Sequence, residues 1–450
     1  MRLALVLAVL SAVSWASRCT PGRSTTPPLP STDAFYDVPA NISSYAPGDI
    51  IKYRPPPNPI AAFGVDVVNV AATWQIQYRT TDNLGGATAT VLTVLIPSNA
   101  DLTKILSYQI AEDAPNINCA PSYVLQLGAY PNGANGTISS EEELLLVEAA
   151  LYEGWVVVLP DHEGPWGAYL ANRLAGQATL DGIRAARQST AFTGIASAAK
   201  AGLWGYSGGA LATAWAAVLQ PSYAPDLTGV LVGAAFGGTV PNLYNTIETV
   251  NGTAQAGLIV AGVVGLAAQY SDIKNGLEAH VLPAYRAGFE AVATSQCLGV
   301  TIDDYSDADV LDMVDDTSLW TNTVTTDVFN NNSLQYAPKA PAGVPLFVYK
   351  AVQDEVSPVT DTDDLVAAWC SAGASVEYVR DATASHSTLA VTGAPMALAW
   401  LISLAEGTVT AGACSTTTKE SMLLDEASLE VVPSFLIDAI TALLTGSVGT

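Results

Sequence analysis

Gly205-Tyr206-Ser207-Gly208-Gly209 stands between an apolar run, Ala201 to Trp204, and an alanine-rich run, Ala210 to Leu219. The first run reads as a buried strand and the second as a helix, so the pentapeptide is a G-x-S-x-G turn in strand–turn–helix surroundings. A turn this sharp strains the backbone of the serine, and the residues beside it must be nearly free of side chain. The helix that follows points unpaired N–H groups, and the positive end of its dipole, at the place where a negatively charged oxygen would form. In a chain with 36 glycines the bare pentapeptide is weak; its flanks carry the reading.

Outward from this turn, strands alternate with helices. Trp74–Thr80 and Ala87–Ile96 alternate as strands around the turn Asp82-Asn83-Leu84-Gly85-Gly86, which predicts a hairpin. Strand Ile105–Ile110, helix Glu141–Tyr152, strand Trp155–Leu159 and helix Thr179–Arg187 lead to the Ser207 turn, and strand Val230–Phe236 follows it. Strand Val344–Ala351, helix Asp361–Trp369, strand Val376–Arg380 and helix Pro395–Ala405 close the pattern. The implied class is α/β, a mostly parallel sheet covered on both faces. Residues 17–60, rich in Pro, Ser and Thr, read as an N-terminal arm on the surface. Residues 61–240 and 338–450 read as the two parts of the core, and 241–337 as a helical insertion between them.

Of the 450 residues, half are apolar and 13% are charged, enough to bury a large core. The net charge of −25 repels nucleic acid and anionic head groups, so any lipid contact must use apolar surface. Met1-Arg2 and the apolar stretch Leu3–Trp15 form a secretory signal peptide, 1–16, with cleavage after Ala16. That stretch and the run Gly257–Ala268 are both too short to span a bilayer, which predicts a secreted protein without a transmembrane segment. Asn41, Asn135, Asn251 and Asn331 each open an N-x-S/T sequon, in keeping with export. Export in turn favours disulfides among the five cysteines, with Cys19 in the leader-proximal arm as the odd one. The other four allow three connectivities. Cys119–Cys297 with Cys370–Cys414 is preferred because the second pair joins segments close in sequence. No C-x-x-C or Cys/His cluster points to a metal.

A serine hydroxyl needs a base, and there are three histidines to choose from. His162 precedes the serine, and His280 lies in the helical insertion. His386, in Asp381-Ala382-Thr383-Ala384-Ser385-His386-Ser387, falls on a loop after a sheet strand, where the order nucleophile, acid, histidine requires it. The acid should follow an earlier strand. Asp354 does, with Glu355 its nearest rival; Asp361, Asp363 and Asp364 begin the next helix, where acids also serve the dipole. An oxyanion site needs two donors: the Gly208 amide, and a group on the loop after strand Ile105–Ile110. No HGGG string is present there; Ala111-Glu112-Asp113-Ala114-Pro115 stands in its place, and Asp113 is either the donor, by its amide or a protonated carboxyl, or a turn aspartate. The apolar residues Leu258, Ile259, Val260, Val263, Val264 and Leu266 line an acyl pocket or form the core of the insertion.

The segments Glu112-Asp113-Ala114, Pro160-Asp161-His162-Glu163-Gly164, Gly205–Gly209 and Gln353-Asp354-Glu355-Val356 resemble the fungal secretory lipase family, the relatives of Candida antarctica lipase A. The similarity runs from the N-terminal arm to the C-terminal helices. The resemblance implies an α/β-hydrolase core with a helical cap, a C-terminal flap, a triad of Ser207, Asp354 and His386, and oxyanion donors at Asp113 and Gly208. It implies the same cysteine pairing, with Cys119–Cys297 tethering cap to core. It implies hydrolysis of triacylglycerols and simpler esters, or acyl transfer to alcohols, without a cofactor. Ala111 departs from the aromatic residue expected in relatives, which bears on chain-length preference. Two other classes suit the same residues. A serine peptidase of this fold would cleave dipeptide rather than ester substrates, and a non-catalytic lipid-binding protein on this scaffold would escape labelling by an organophosphonate.

Overall fold

The computed structural model of the chain describes residues 26–129, 136–337, 339–341, 343–409 and 411–445. Ten strands make one sheet: β1 (Ile50–Arg54), β2 (Ala72–Thr81), β3 (Ala87–Ile96), β4 (Asp101–Gln109), β5 (Trp155–Pro160), β6 (Lys200–Tyr206), β7 (Leu231–Gly237), β8 (Leu346–Ala351), β9 (Val376–Asp381) and β10 (Ser415–Lys419). Their order is β1-β2-β3-β5-β4-β6-β7-β8-β9-β10. The first three pairings are antiparallel and the rest are parallel. Strands covered on both faces need apolar residues throughout rather than in alternation, and β5 and β8 are buried along their whole length.

Helices α1 (Leu144–Tyr152), α2 (Asn172–Gln188) and α3 (Gly208–Tyr223) precede β7. From β7 to β8 the described residues add no strand to the sheet and form α4 (Leu243–Val250), α5 (Gly257–Ala267), α6 (Ser271–His280), α7 (Arg286–Thr294), α8 (Leu298–Tyr305) and α9 (Thr323–Asn332). Then follow α10 (Val359–Ser371), α11 (His386–Thr392), α12 (Ala394–Ala405) and α13 (Ser434–Thr445). One face of the sheet packs on α2 and α3 through residues such as Tyr78, Leu180 and Trp215. The other packs on α1, α12 and α13 through Tyr108, Leu146, Trp204, Phe347 and Leu436. Helix α5, apolar on every side, is the hub of the insertion and touches α4, α6, α7 and α8.

Several elements depart from the sequence expectation. The arm is not only a surface wrap, because Ile50–Arg54 pairs with β2 and forms one edge of the sheet. The polar Ser-Thr-Thr-Thr-Lys run of β10 forms the other edge, where one-sided, exposed pairing asks for no apolar pattern. Helix α2 begins seven residues before the expected Thr179, since its buried face includes small and polar residues. His386 is the first residue of α11 rather than part of a loop, capped by Ser385, whose hydroxyl accepts from the Thr388 amide.

The disulfides are Cys119–Cys297 and Cys370–Cys414. The first joins the segment after β4 to the start of α8, and the second ties the chain leading to β10 to α10. Asn41 and Asn331 are exposed. Asn251 is half-buried; its amide donates to Asp309 and its carbonyl accepts from the Val310 N–H. Asn135, Cys19 and the leader lie outside the described residues. Among the described residues no single helix is long and apolar enough to cross a membrane.

Candidate active site

The chain order of the strands reverses around β4, which sits between β5 and β6. In such sheets the crevice beyond the carboxyl ends, at the point of reversal, is where ligands bind. Gln109 at the end of β4 lies opposite Gly205 in β6, so the residues that follow each strand, Asp113 and Ser207, emerge side by side. Ala351 of β8 lies opposite Asp381 of β9, and the turns beyond them carry Asp354 and His386. Asp381 is buried and shapes its turn: its carboxylate accepts from the Thr383, Ala384 and Met422 amides.

Ser207 has φ 53° and ψ −117°, a conformation costly for a residue with a side chain. Both glycines after it are required by space. A Cβ on Gly208 would overlap Asp113 Oδ1, and one on Gly209 would overlap the Gln109 carbonyl oxygen. The turn thus presses the serine loop directly onto the Asp113 loop. Asp113 is itself at φ 48°, so two of the five non-glycine residues at positive φ among the described residues face each other here.

His386 Nε2 stands 2.9 Å from Ser207 Oγ, and its Nδ1 donates to Asp354 Oδ2 at 2.8 Å. Asp354 Oδ1 accepts from the Val356 and Ser357 amides at 2.9 and 2.8 Å. Burial alone would raise the Asp354 carboxyl, but His386 and Lys350 outweigh it and hold the group well below the ordinary carboxylate range. The imidazole's backbone is gripped on both sides: its N–H donates to Glu355 at 2.7 Å, and its carbonyl accepts from the Tyr206 hydroxyl at 2.6 Å. Glu355, the rival acid, therefore binds the backbone of His386 rather than its ring. Asp361 accepts from Asn245, and Asp363 from the Tyr378 hydroxyl.

Asp113 lines the same cavity as Ser207 and His386. Burial pushes its carboxyl up to about 7, opposed by His386 and by a hydrogen bond with Tyr169. Behind it, Glu112 and Glu163 face one another fully buried; desolvation and mutual repulsion raise Glu112, and desolvation with the charge of Asp113 raises Glu163. His162 is buried and neutral, lowered to about 4 by desolvation, and its Nε2–H donates to the Ile110 carbonyl just before this loop. His280 pairs with Asp315 at the surface.

The cavity, about 360 Å³, is bounded by core residues such as Ala111, Leu146 and Val391 and by Leu258, Leu298 and Ile302 of the insertion. A small enclosed slot also reaches Ser207, lined by Leu170, Leu243, Ile247, Leu258 and Ile259. Of the six apolar residues singled out in the sequence, Leu258 and Ile259 border these spaces. Val260, Val263 and Leu266 are core of the insertion, and Val264 faces an outer groove. Sequence reasoning missed Lys350, Tyr169 and Tyr206. For Lys350 a signal existed: a lone charge in the otherwise apolar Leu346-Phe347-Val348-Tyr349-Lys350-Ala351, four residues before the acid.

A family model described as secretory lipase matches residues 130–412. The chain is 43% identical to Lipase A of Arthroderma benhamiae over 93% of this chain and 89% of that protein. It is 38% identical to Lipase 2 of Candida albicans over 88% of this chain and 85% of the relative. The X-ray structure of Candida antarctica lipase A superposes with a TM-score of 0.83 at 31% identity, covering 92% of this chain and 95% of that one.

Proposed function

Since the chain belongs to the secretory lipase family and is a carboxylic ester hydrolase of the triacylglycerol-lipase type, we propose that it cleaves these esters through an acyl-enzyme on Ser207. One observation carries the reading: an unbroken hydrogen-bond path from Ser207 Oγ through the imidazole of His386 to the buried carboxylate of Asp354. Ser207 Oγ attacks the ester carbonyl carbon as His386 Nε2 takes its proton. The carbonyl oxygen, now negative, is met by the Gly208 amide and by Asp113, whose raised carboxyl is a donor in its protonated form. His386 returns the proton to the departing alcohol. Water, or a second alcohol in acyl transfer, then enters by the reverse steps and frees the acid or a new ester.

The two apolar spaces that border Ser207 suit an acyl chain and the rest of a lipid. With a net charge of −25, the protein would meet a lipid–water interface by apolar surface rather than by charge. On this reading residues 241–337 form the cap and the C-terminal segment the flap. The enzyme works after export, with the leader removed and glycans on sequon asparagines, Asn41 and Asn331 being the exposed ones.

Ser207→Ala tests the proposal. We expect an unchanged fold by circular dichroism, loss of organophosphonate labelling, and about a millionfold drop in hydrolysis of p-nitrophenyl esters. Turnover near the wild-type rate would sink the assignment. Rates across acyl lengths, with and without an emulsion, then define the substrate.

A further inference from the structure

Lys350 lies against the triad and has no part in the steps above. Its side chain is fully buried in β8, between strands, where neighbours Tyr349 and Ala351 are buried too. Its ammonium donates to Asp354 Oδ2 at 2.9 Å and to the Thr239 carbonyl at 2.8 Å. Asp354 Oδ2 is also the oxygen that accepts from His386 Nδ1. A buried ammonium is expensive to desolvate, and apolar residues in place of a whole buried ion pair commonly cost no stability, whereas removal of one partner does. Filling space therefore does not call for lysine here; its place follows from its pairing with Asp354. Holding the carboxylate in place does not call for it either, because the Val356 and Ser357 amides already fix the other oxygen. What lysine alone adds is a positive charge.

Building on the triad reading, we propose that Lys350 is a positioning residue whose ammonium, seated on the oxygen shared with His386, keeps Asp354 ionised while weakening its hold on the imidazolium, so that turnover extends into acidic medium. The other charged or titratable groups around the imidazole are acidic or neutral. Asp113, Glu142 and Glu143 line the same cavity, Glu355 accepts from the His386 amide, and the Tyr206 ring centre lies 5.3 Å from the imidazole. Asp361 and Glu355 also act on Lys350 itself. Asp113, Glu142 and Glu143 are raised by burial and carry little charge in acidic medium, but the carboxylates of Asp354 and Glu355 alone would favour an imidazole that captures a proton from solvent and ceases to be a base. Lys350 is the cation in this set that opposes them.

The test is the pH profile of kcat/KM on a soluble p-nitrophenyl ester, with product read after an alkaline quench. Lys350→Met removes charge and hydrogen bond; Lys350→Gln removes the charge but keeps a donor for Asp354 and Thr239; Lys350→Arg keeps the charge. In Met and Gln the acid limb should move up by about one pH unit, and in Arg it should stay near the wild-type position. Should the Met variant fail to fold, the Gln variant decides. A uniform loss of rate with the acid limb in place means that lysine only supports the fold, and overturns the proposal. Ser207→Ala run in parallel separates the two levels. Turnover surviving there removes the triad itself, whereas an unmoved limb in variants that still depend on Ser207 removes only the role of Lys350.

Discussion

Asp354 and Asp113 both have buried side chains that feel the charge of His386, yet their surroundings differ in kind. Asp354 receives two backbone amides, an imidazole N–H and an ammonium. Asp113 has Tyr169 on one side, an Oδ1 with no hydrogen-bond partner, and the buried acids Glu112 and Glu163 behind it. Donors and a cation stabilise the charged form; desolvation beside other carboxyls stabilises the neutral form. The same residue type thus becomes a fixed anion on one side of the serine and a raised acid, pushed to about 7, on the other. On the proposed mechanism, separating the ionisation of two like groups in this way gives one site both a partner for imidazolium and a donor to an oxyanion.

Replacing each aspartate by its amide should break this comparison most sharply. Asp354→Asn would present the wrong group to His386 Nδ1, and we expect kcat/KM to fall by about 10⁴-fold with the fold intact. A drop of less than tenfold would mean that the acid lies elsewhere. Gly208→Ala comes next. Its methyl group collides with Asp113 Oδ1, displacing the oxyanion side only, and single-donor losses of this kind cost about 10²–10³-fold in kcat. Unchanged kcat in that variant would show that the contact of the two loops is dispensable.

Asp113→Asn should act far more mildly at pH 6, by less than tenfold, because an amide is a neutral donor like the protonated acid. The wild type should slow as pH rises past about 7, where Asp113 sheds its proton, and this variant should lose that fall. An alkaline limb identical to that of the wild type would assign that limb to another group.

The smallest effect concerns stability. Asp113, Asp161 and Glu143 are raised by burial to about 7, 7 and 8, against about 4 for carboxyls in an unfolded chain. A raised group favours the native state fully below its unfolded value and loses that contribution as pH climbs through its folded value. Asp354 works in the opposite sense: its contribution is present above pH of about 4 and is lost as pH falls from there through its depressed folded value. The melting temperature should therefore peak on the acidic side of neutrality and fall by roughly 5 °C or more between pH 5 and pH 8. Thermal melts across that range check it, and a flat or rising curve would contradict the buried acids as described.

Much of the fold was legible because its signals are local. The β2–β3 hairpin, the apolar parallel strands, the Ser207 turn and the all-apolar α5 are each written in a dozen consecutive residues. The edges were not, since β1 is half-buried and β10 is exposed and threonine-rich; pairing, not pattern, makes them strands. His162 shows the same divide within the site. Its place at a strand end was visible, but its donation to the Ile110 carbonyl depends on a partner 52 residues away.

By itself, the sequence determined the order serine, aspartate, histidine around a glycine-flanked turn, because strained turns and strand ends demand particular residue types nearby. Tertiary structure alone decided which carboxyls carry charge, which lysine meets the acid, and which apolar residues border the serine. Those properties arise where the strand order reverses and distant loops meet out of water, and desolvation and neighbouring charge are set by that meeting rather than by any run of residues.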